Sequence, residues 1–173
     1  MAEAINKVVF DLSDTLIWAD PDDGYYPAWR PGAPKLLAEL VAKGIEPVVW
    51  SGADQEEFDF YVSKISGYHE LVKISFNHNT APDLFKMARS SLSSSELTEQ
   101  ERGRRLREGL EVGLKKYPPA VGSRILVDDS KDQRREAAKL DCIVIDPTPL
   151  PEDTSPEQWT VRVATAILAN LQD

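Results

Sequence analysis

Asp11, Ser13, Asp14 and Thr15 follow the apolar stretch VVF at 8–10, so two carboxylates and two hydroxyls crowd the end of a segment with the character of a buried strand. The same transition recurs along the chain. Ser51 and Gly52 follow PVVW, and Asn77, His78, Asn79 and Thr80 follow KISF. Asp128, Asp129 and Ser130 follow RILV, and Asp146 follows CIVI. If Asp11, Asp128 and Asp129 met, they would repel one another strongly. A hard cation with oxygen ligands removes that repulsion, and two or three carboxylates with waters suit Mg²⁺. Alternatively each Asp only caps the helix after it, which accommodates any one of them but suits the adjacent pair Asp128–Asp129 together with Asp11 less well. A carboxylate beside Mg²⁺ can also attack phosphorus and form a covalent intermediate. Ser51 could hold a phosphoryl oxygen through its hydroxyl and its backbone N–H.

These residues meet only if the segments before them are strands of one sheet. Strand-length apolar runs occur as KVVFDL near 7–12, IEPVVW at 45–50, ELVKISF at 70–76, RILV at 124–127 and CIVI at 142–145. They are rich in Val and Ile, as buried parallel strands are. Helical periodicity separates them. PGAPKLLAELVAKG puts Leu36, Leu37, Leu40 and Val41 on one face, and DQEEFDFYVSKI does the same with Phe58, Tyr61, Val62 and Ile65. TAPDLFKMARSSL, TEQERGRRLREGLEVGLKKY and DQRREAAKL are further helices. SPEQWTVRVATAILANL closes the chain, with Ser155 expected as cap, Pro156 in the first helical position and Gln158 at the capping-box spacing.

Strand–helix alternation predicts an α/β fold: a three-layer, Rossmann-like parallel sheet with helices on both faces. Right-handed crossovers put the carboxyl ends of the strands on one edge, where such sheets bind ligands. The chain reads as a single domain over 1–173. Its two long connections are a flap-like loop at 13–30, acidic and aromatic, and a two-helix connection at 77–123. Neither has the length of a large cap domain.

Composition narrows the function classes. The 173 residues are 42% hydrophobic and 28% charged, ordinary for a globular protein. A net charge of −9 and a pI near 4.8 argue against a protein whose main task is gripping nucleic acid or an anionic membrane. The basic run at 101–116, six cations against three acids, reads as a solvated helix with intrahelical Glu–Arg pairs. Cys142, alone and inside LDCIVI, reads as a buried small hydrophobe. MAEAINK has neither a basic nor a long apolar character, and no run approaches ~18 apolar residues, so the expectation is a cytoplasmic protein without a membrane span.

The order VVFDLSDT, PVVWSG, RILVDDS and EAAKLDCIVID resembles the haloacid dehalogenase-like superfamily of hydrolases over nearly the whole chain. YYPAWRPGAPKLLAELVAKGIEPVVWSGA is most similar to its small capless phosphatases, of the magnesium-dependent and C-terminal-domain types. The resemblance implies a Mg²⁺-dependent phosphatase acting on a phosphomonoester through an aspartyl-phosphate. Asp11 would be nucleophile and metal ligand, Ser51 with Gly52 would bind phosphate, and Asp128 and Asp129 would hold the metal with the backbone carbonyl of Ser13. Two positions depart. The family's second Asp, its general acid and base, falls on Ser13, whose hydroxyl has no suitable pKa; Asp14 is the neighbouring substitute. The family's Lys falls on Asn79 in NTAPDLF, leaving Lys86 or Lys131 to supply positive charge. The substrate would be a phosphorylated small molecule or macromolecule. The alternative is a catalytically degenerate member that binds a ligand or protein partner.

Overall fold

A computed structural model describes residues 6–18, 26–77, 116 and 118–171. Strand β1 (Asn6–Phe10) is its centre. Val8, Val9 and Phe10 are fully buried. Val8 and Phe10 belong to one apolar cluster and Val9 to another, one on each face of the sheet. A strand buried on both faces has no polar face to alternate with, which is why VVF is an unbroken apolar run.

After β1 come a short antiparallel ribbon, β2 (Ile17–Trp18) with β3 (Ala28–Trp29), then α1 (Ala33–Ala42) and β4 (Ile45–Trp50). Helices α2 (Gln55–Lys64) and α3 (Tyr68–Leu71) lead to β5 (Ile74–Phe76). A 3₁₀ turn at Pro118–Val121 precedes β6 (Ile125–Val127), α4 (Lys131–Ala138), β7 (Ile143–Ile145) and α5 (Gln158–Asn170).

The five-stranded sheet runs β5–β4–β1–β6–β7 with every pair parallel. The chain goes from β1 to β4 and β5 on one side, then returns to β6 and β7 on the other. The strand order therefore reverses at β1, and the crevice beyond its carboxyl end is the natural ligand site of such a sheet. Register sharpens this. Phe10 is level with both Val49 and Val127, so Asp11 and Asp128 leave the sheet side by side. Pro47 is tolerated inside β4 because β5 pairs with it only from Val48 onward.

One face is covered by α1 through Leu36, Leu37 and Leu40, by α2 through Phe58 and Tyr61, and by α5 through Trp159, Val163 and Ile167. The i, i+4 spacing of the last three gives α5 one apolar stripe. On the other face α4 contributes Ala137 to a cluster with Val9, Val48, Trp50, Leu126 and Cys142. At ~1.5–3 kcal/mol for each large apolar side chain, these contacts hold the helices and so fix the strand ends. The fold is thus the expected α/β, Rossmann-like parallel sheet with helices on both faces.

Several local expectations need correction. The strand expected over 70–76 is confined to Ile74–Phe76. Gly67, at φ 75°, turns the chain into α3, where Tyr68 is buried against the rings of Trp29 and Phe58 and shares a 2.8 Å hydrogen bond with Ser75 Oγ. Ser155 does not cap α5. The helix begins at Gln158, whose Oε1 turns back to accept from the N–H (2.6 Å) and hydroxyl (2.9 Å) of Thr154. The loop expected at 13–30 includes the β2–β3 ribbon; its residues 19–25 lie outside the described ones, as do the helices expected at 80–92 and 98–117, apart from Lys116. Trp29 packs onto the body of the protein, donating to Ser66 O at 2.8 Å, while Trp18 and Tyr26 are exposed. Among the described residues no helix is long and apolar enough to cross a membrane.

Candidate active site

The backbone positions the key residues first. Asp11 N donates to Val127 O (2.9 Å), Asp128 N to Ile145 O (3.2 Å) and Ser51 N to Phe76 O (2.8 Å). Each residue is thus the last rung of a parallel ladder, and its side chain starts from a fixed point on the rim. Asp11, Ser13, Ser51, Asp128 and Asp129 line a pocket of about 300 Å³. Carboxylate oxygens of Asp11, Asp128 and Asp129 all lie within 4.8 Å of one another.

The group between them is one that the sequence reading placed elsewhere. Lys116 is buried, and its Nζ hydrogen-bonds Asp11 Oδ1 and, at 2.7 Å, Asp128 Oδ2. It is therefore not a solvated helix residue at the end of the basic run. Its backbone takes φ 59°, a left-handed conformation that disfavours side-chain-bearing residues by ~1–2 kcal/mol. Strain of this kind persists where surrounding contacts over-determine it, as the two carboxylates do here.

Three carboxylates and one ammonium leave the cluster a formal charge of −2. The titration behaviour follows. Burial works against the Lys116 ammonium, but Asp11 and Asp128 outweigh it and hold it charged above its ordinary range. Burial pushes the Asp11 carboxyl up to about 7, with Lys116 pulling the other way and Asp128 and Asp129 adding to the rise. Burial likewise raises Asp128, again opposed by Lys116.

Hydrogen bonds divide the labour among the acids. Asp128 has Oδ2 on Lys116 and Oδ1 accepting from Ser130 N at 2.8 Å, so both its oxygens are engaged. Asp129 Oδ1 accepts from the Thr15 hydroxyl at 3.2 Å, and Asp129 N donates back to Thr15 Oγ1 at 3.2 Å. Thr15, fully buried, thereby ties the loop after β1 to the loop after β6. Asp11 and Asp129 each keep an oxygen for which no such bond is formed among the described residues. All-oxygen donors with an excess charge of −2 fit a hard divalent ion such as Mg²⁺.

Ser51 departs from expectation in one respect. Its backbone N–H is spent on Phe76 O, so only the side chain can meet an anion. Ser51 Oγ accepts from Ala53 N at 3.1 Å, which orients the hydroxyl and leaves its proton to donate.

Other expected residues fall elsewhere. Asp14, at φ 59°, is exposed and is not in the pocket lining; its carbonyl accepts from Arg30. Lys131 is exposed at the first position of α4, also outside the lining. Gly52 borders the pocket. Asn79, Lys86 and His78 lie outside the described residues.

Two arginines hold the rim. Arg30, 2% exposed, donates to the carbonyls of Thr15 (3.3 Å) and Pro147 (2.6 Å), with its guanidinium 3.9 Å from the centre of the Trp159 ring. Arg134 Nη1 donates to the carbonyls of Asp128 and Asp129, each at 2.6 Å, and its Nη2 pairs with Asp146 at 2.6 Å. Both act on the backbone of the loops that carry the acids. Glu57 of α2 and Gln133 of α4 complete the mouth; Gln133 Oε1 is buried with no donor among the described residues.

No family model and no curated protein matches this chain. Among solved structures, it is similar to a protein from Thermotoga maritima provisionally described as a β-phosphoglucomutase, at 10% identity and a TM-score of 0.52, covering 96% of this chain and 98% of that one. An uncharacterised protein from Corynebacterium glutamicum aligns at 13% identity and TM-score 0.46, over 94% and 95% of the two chains. CbbY from Rhodobacter sphaeroides, in complex with phosphate, aligns at 13% identity and TM-score 0.47, over 86% and 89%. The likeness to the Thermotoga protein is one of fold and extends over almost the full length of both chains.

Proposed function

We propose that this protein is a Mg²⁺-dependent phosphatase of the haloacid dehalogenase-like type, cleaving a phosphomonoester through an aspartyl-phosphate on Asp11. The observation that carries the reading is the convergence of Asp11, Lys116 and Asp128 at adjacent strand ends, with Asp129 and Ser51 on the same pocket. Asp11 attacks phosphorus with a carboxylate oxygen. Lys116 orients that carboxylate and offsets charge on the phosphoryl oxygens. The Ser51 hydroxyl donates to one of those oxygens. Asp11, Asp128 and Asp129, with the backbone carbonyl of Ser13, would hold Mg²⁺, which when bound supplies positive charge to the transferring phosphoryl group. Asp128 also holds Lys116 through Oδ2.

The alternative, a degenerate binding module, rested on Ser13 and on the lysine missing at position 79. Lys116 supplies the cation from elsewhere in the chain, which leaves Ser13 as its remaining support. The fold and the pocket formed by the described residues suit a phosphorylated small molecule or an exposed phosphate on a macromolecule. Phosphate release from a generic phosphomonoester with Mg²⁺ should be abolished by Asp11→Asn. Equal rates for the two proteins contradict the proposal.

A further inference from the structure

Phosphomonoester cleavage needs two proton transfers that Asp11 cannot perform: one to the departing oxygen, one from the attacking water. Ser13 cannot supply either at neutral pH. The titratable groups on the pocket among the described residues are few. Asp11 is the nucleophile, and Lys116 is bound to two carboxylates. Asp128 is engaged at both oxygens, and Asp129 sits beside the expected metal position with one oxygen on Thr15. Glu57 remains.

Resting on the phosphatase reading above, we propose that Glu57 is the general acid and base of this site, replacing from α2 the carboxylate that Ser13 lacks. Its position is built. Asp54 caps α2 by accepting from Glu57 N at 2.9 Å, which fixes the backbone. Tyr61, 5% exposed and part of the core, donates its hydroxyl to Glu57 Oε1. One carboxylate oxygen is therefore held while the residue borders the pocket that Gln133 of α4 also lines. In the first step an Asp11 oxygen bonds to phosphorus, the ester P–O bond breaks, and the leaving oxygen takes the proton of the Glu57 carboxylic acid. In the second, Glu57 carboxylate takes a proton from water as that oxygen bonds to phosphorus. The Asp11–phosphorus bond breaks, inorganic phosphate leaves, and both carboxyl groups return to their starting states.

The test is Glu57→Gln, which keeps an acceptor for Tyr61, assayed with Mg²⁺ on two substrates beside wild type and Asp11→Asn. An alkyl phosphate needs a proton on its leaving oxygen, whereas p-nitrophenyl phosphate does not. Glu57→Gln should lose ~10²–10⁴-fold in kcat on the alkyl ester. On p-nitrophenyl phosphate it should still give a first burst of p-nitrophenol and then stall as phosphoenzyme, because water lacks its base. A merely structural role would remove that burst together with turnover on both substrates. No burst on p-nitrophenyl phosphate, or wild-type rates on the alkyl ester while Asp11→Asn is inactive, would overturn the role of Glu57 and leave the phosphatase reading intact. An Asp11→Asn protein as active as wild type would overturn both.

Discussion

Replacing Lys116 with Met removes the one cation among the described residues that is bonded to the carboxylates of the acidic cluster. Its Nζ lies 2.7 Å from Asp128 and bonds Asp11, both buried. At an effective dielectric near 20, one such pair at ~3 Å is attractive by ~5 kcal/mol before desolvation. Removing one partner of a buried pair usually costs ~3–5 kcal/mol, because the other charge stays buried alone. Protonation sets a ceiling: lifting a carboxyl from its ordinary ~4 to neutral pH costs ~1.4 kcal/mol per unit, or ~4 kcal/mol. The ceiling trims the upper end, so Lys116→Met should lose ~3–4 kcal/mol in urea unfolding without metal, a large share of a typical ~5–15 kcal/mol. Adding Asp128→Asn should return part of that loss, as coupled neighbours do. Mg²⁺ should stabilise the single variant more than wild type, since its cluster carries one more negative charge. A Lys116→Met protein within ~0.5 kcal/mol of wild type, at equal denaturant slope, would place Lys116 outside the cluster and refute the reasoning.

Three further outcomes can be measured. The Asp11 carboxyl is pushed up to about 7 by burial, so its contribution to stability is full below the unfolded value near ~4 and is lost as pH rises through about 7. Mg²⁺ competes with that proton, so its affinity by calorimetry should rise by up to ~tenfold per pH unit towards neutrality; a flat profile contradicts the placement. Gln133→Leu removes a buried acceptor that has no donor among the described residues, so urea unfolding should show no loss of stability while KM rises. Cys142 is buried with its thiol pushed up to about 11, so iodoacetamide at neutral pH should label it only after unfolding; rapid labelling of the folded protein would contradict its burial.

The sheet was legible because burial on both faces forces unbroken apolar runs such as VVF and PVVW. The acids were legible because few other functions place Asp11 and the pair Asp128–Asp129 directly after such runs. Lys116 was not legible. It ends a basic run whose spacing reads as a solvated helix, and its role depends on one left-handed residue 105 positions from Asp11 in sequence. The signal available was a lysine just ahead of Pro118–Pro119, the turn leading into the strand that carries Asp128. Glu57 and Gln133 were hidden differently. Each stands three residues after a capping side chain, Asp54 or Ser130, and so reads as part of a helix start rather than of a pocket. Arg30 and Arg134 grip carbonyls, which are common to every residue and leave no trace in residue type. The boundaries of β5 and α5 moved because Gly67 and the Thr154–Gln158 contact decided them locally.

The most direct test is a crystal structure with Mg²⁺ and beryllofluoride, a mimic of a phosphoryl group on a carboxylate. One ion bridging Asp11, Asp128 and Asp129, with the beryllium on Asp11 and its fluorines facing Lys116 Nζ and Ser51 Oγ, is the predicted result. An ion bound away from Asp11, or a beryllofluoride that leaves Asp11 bare, would contradict it.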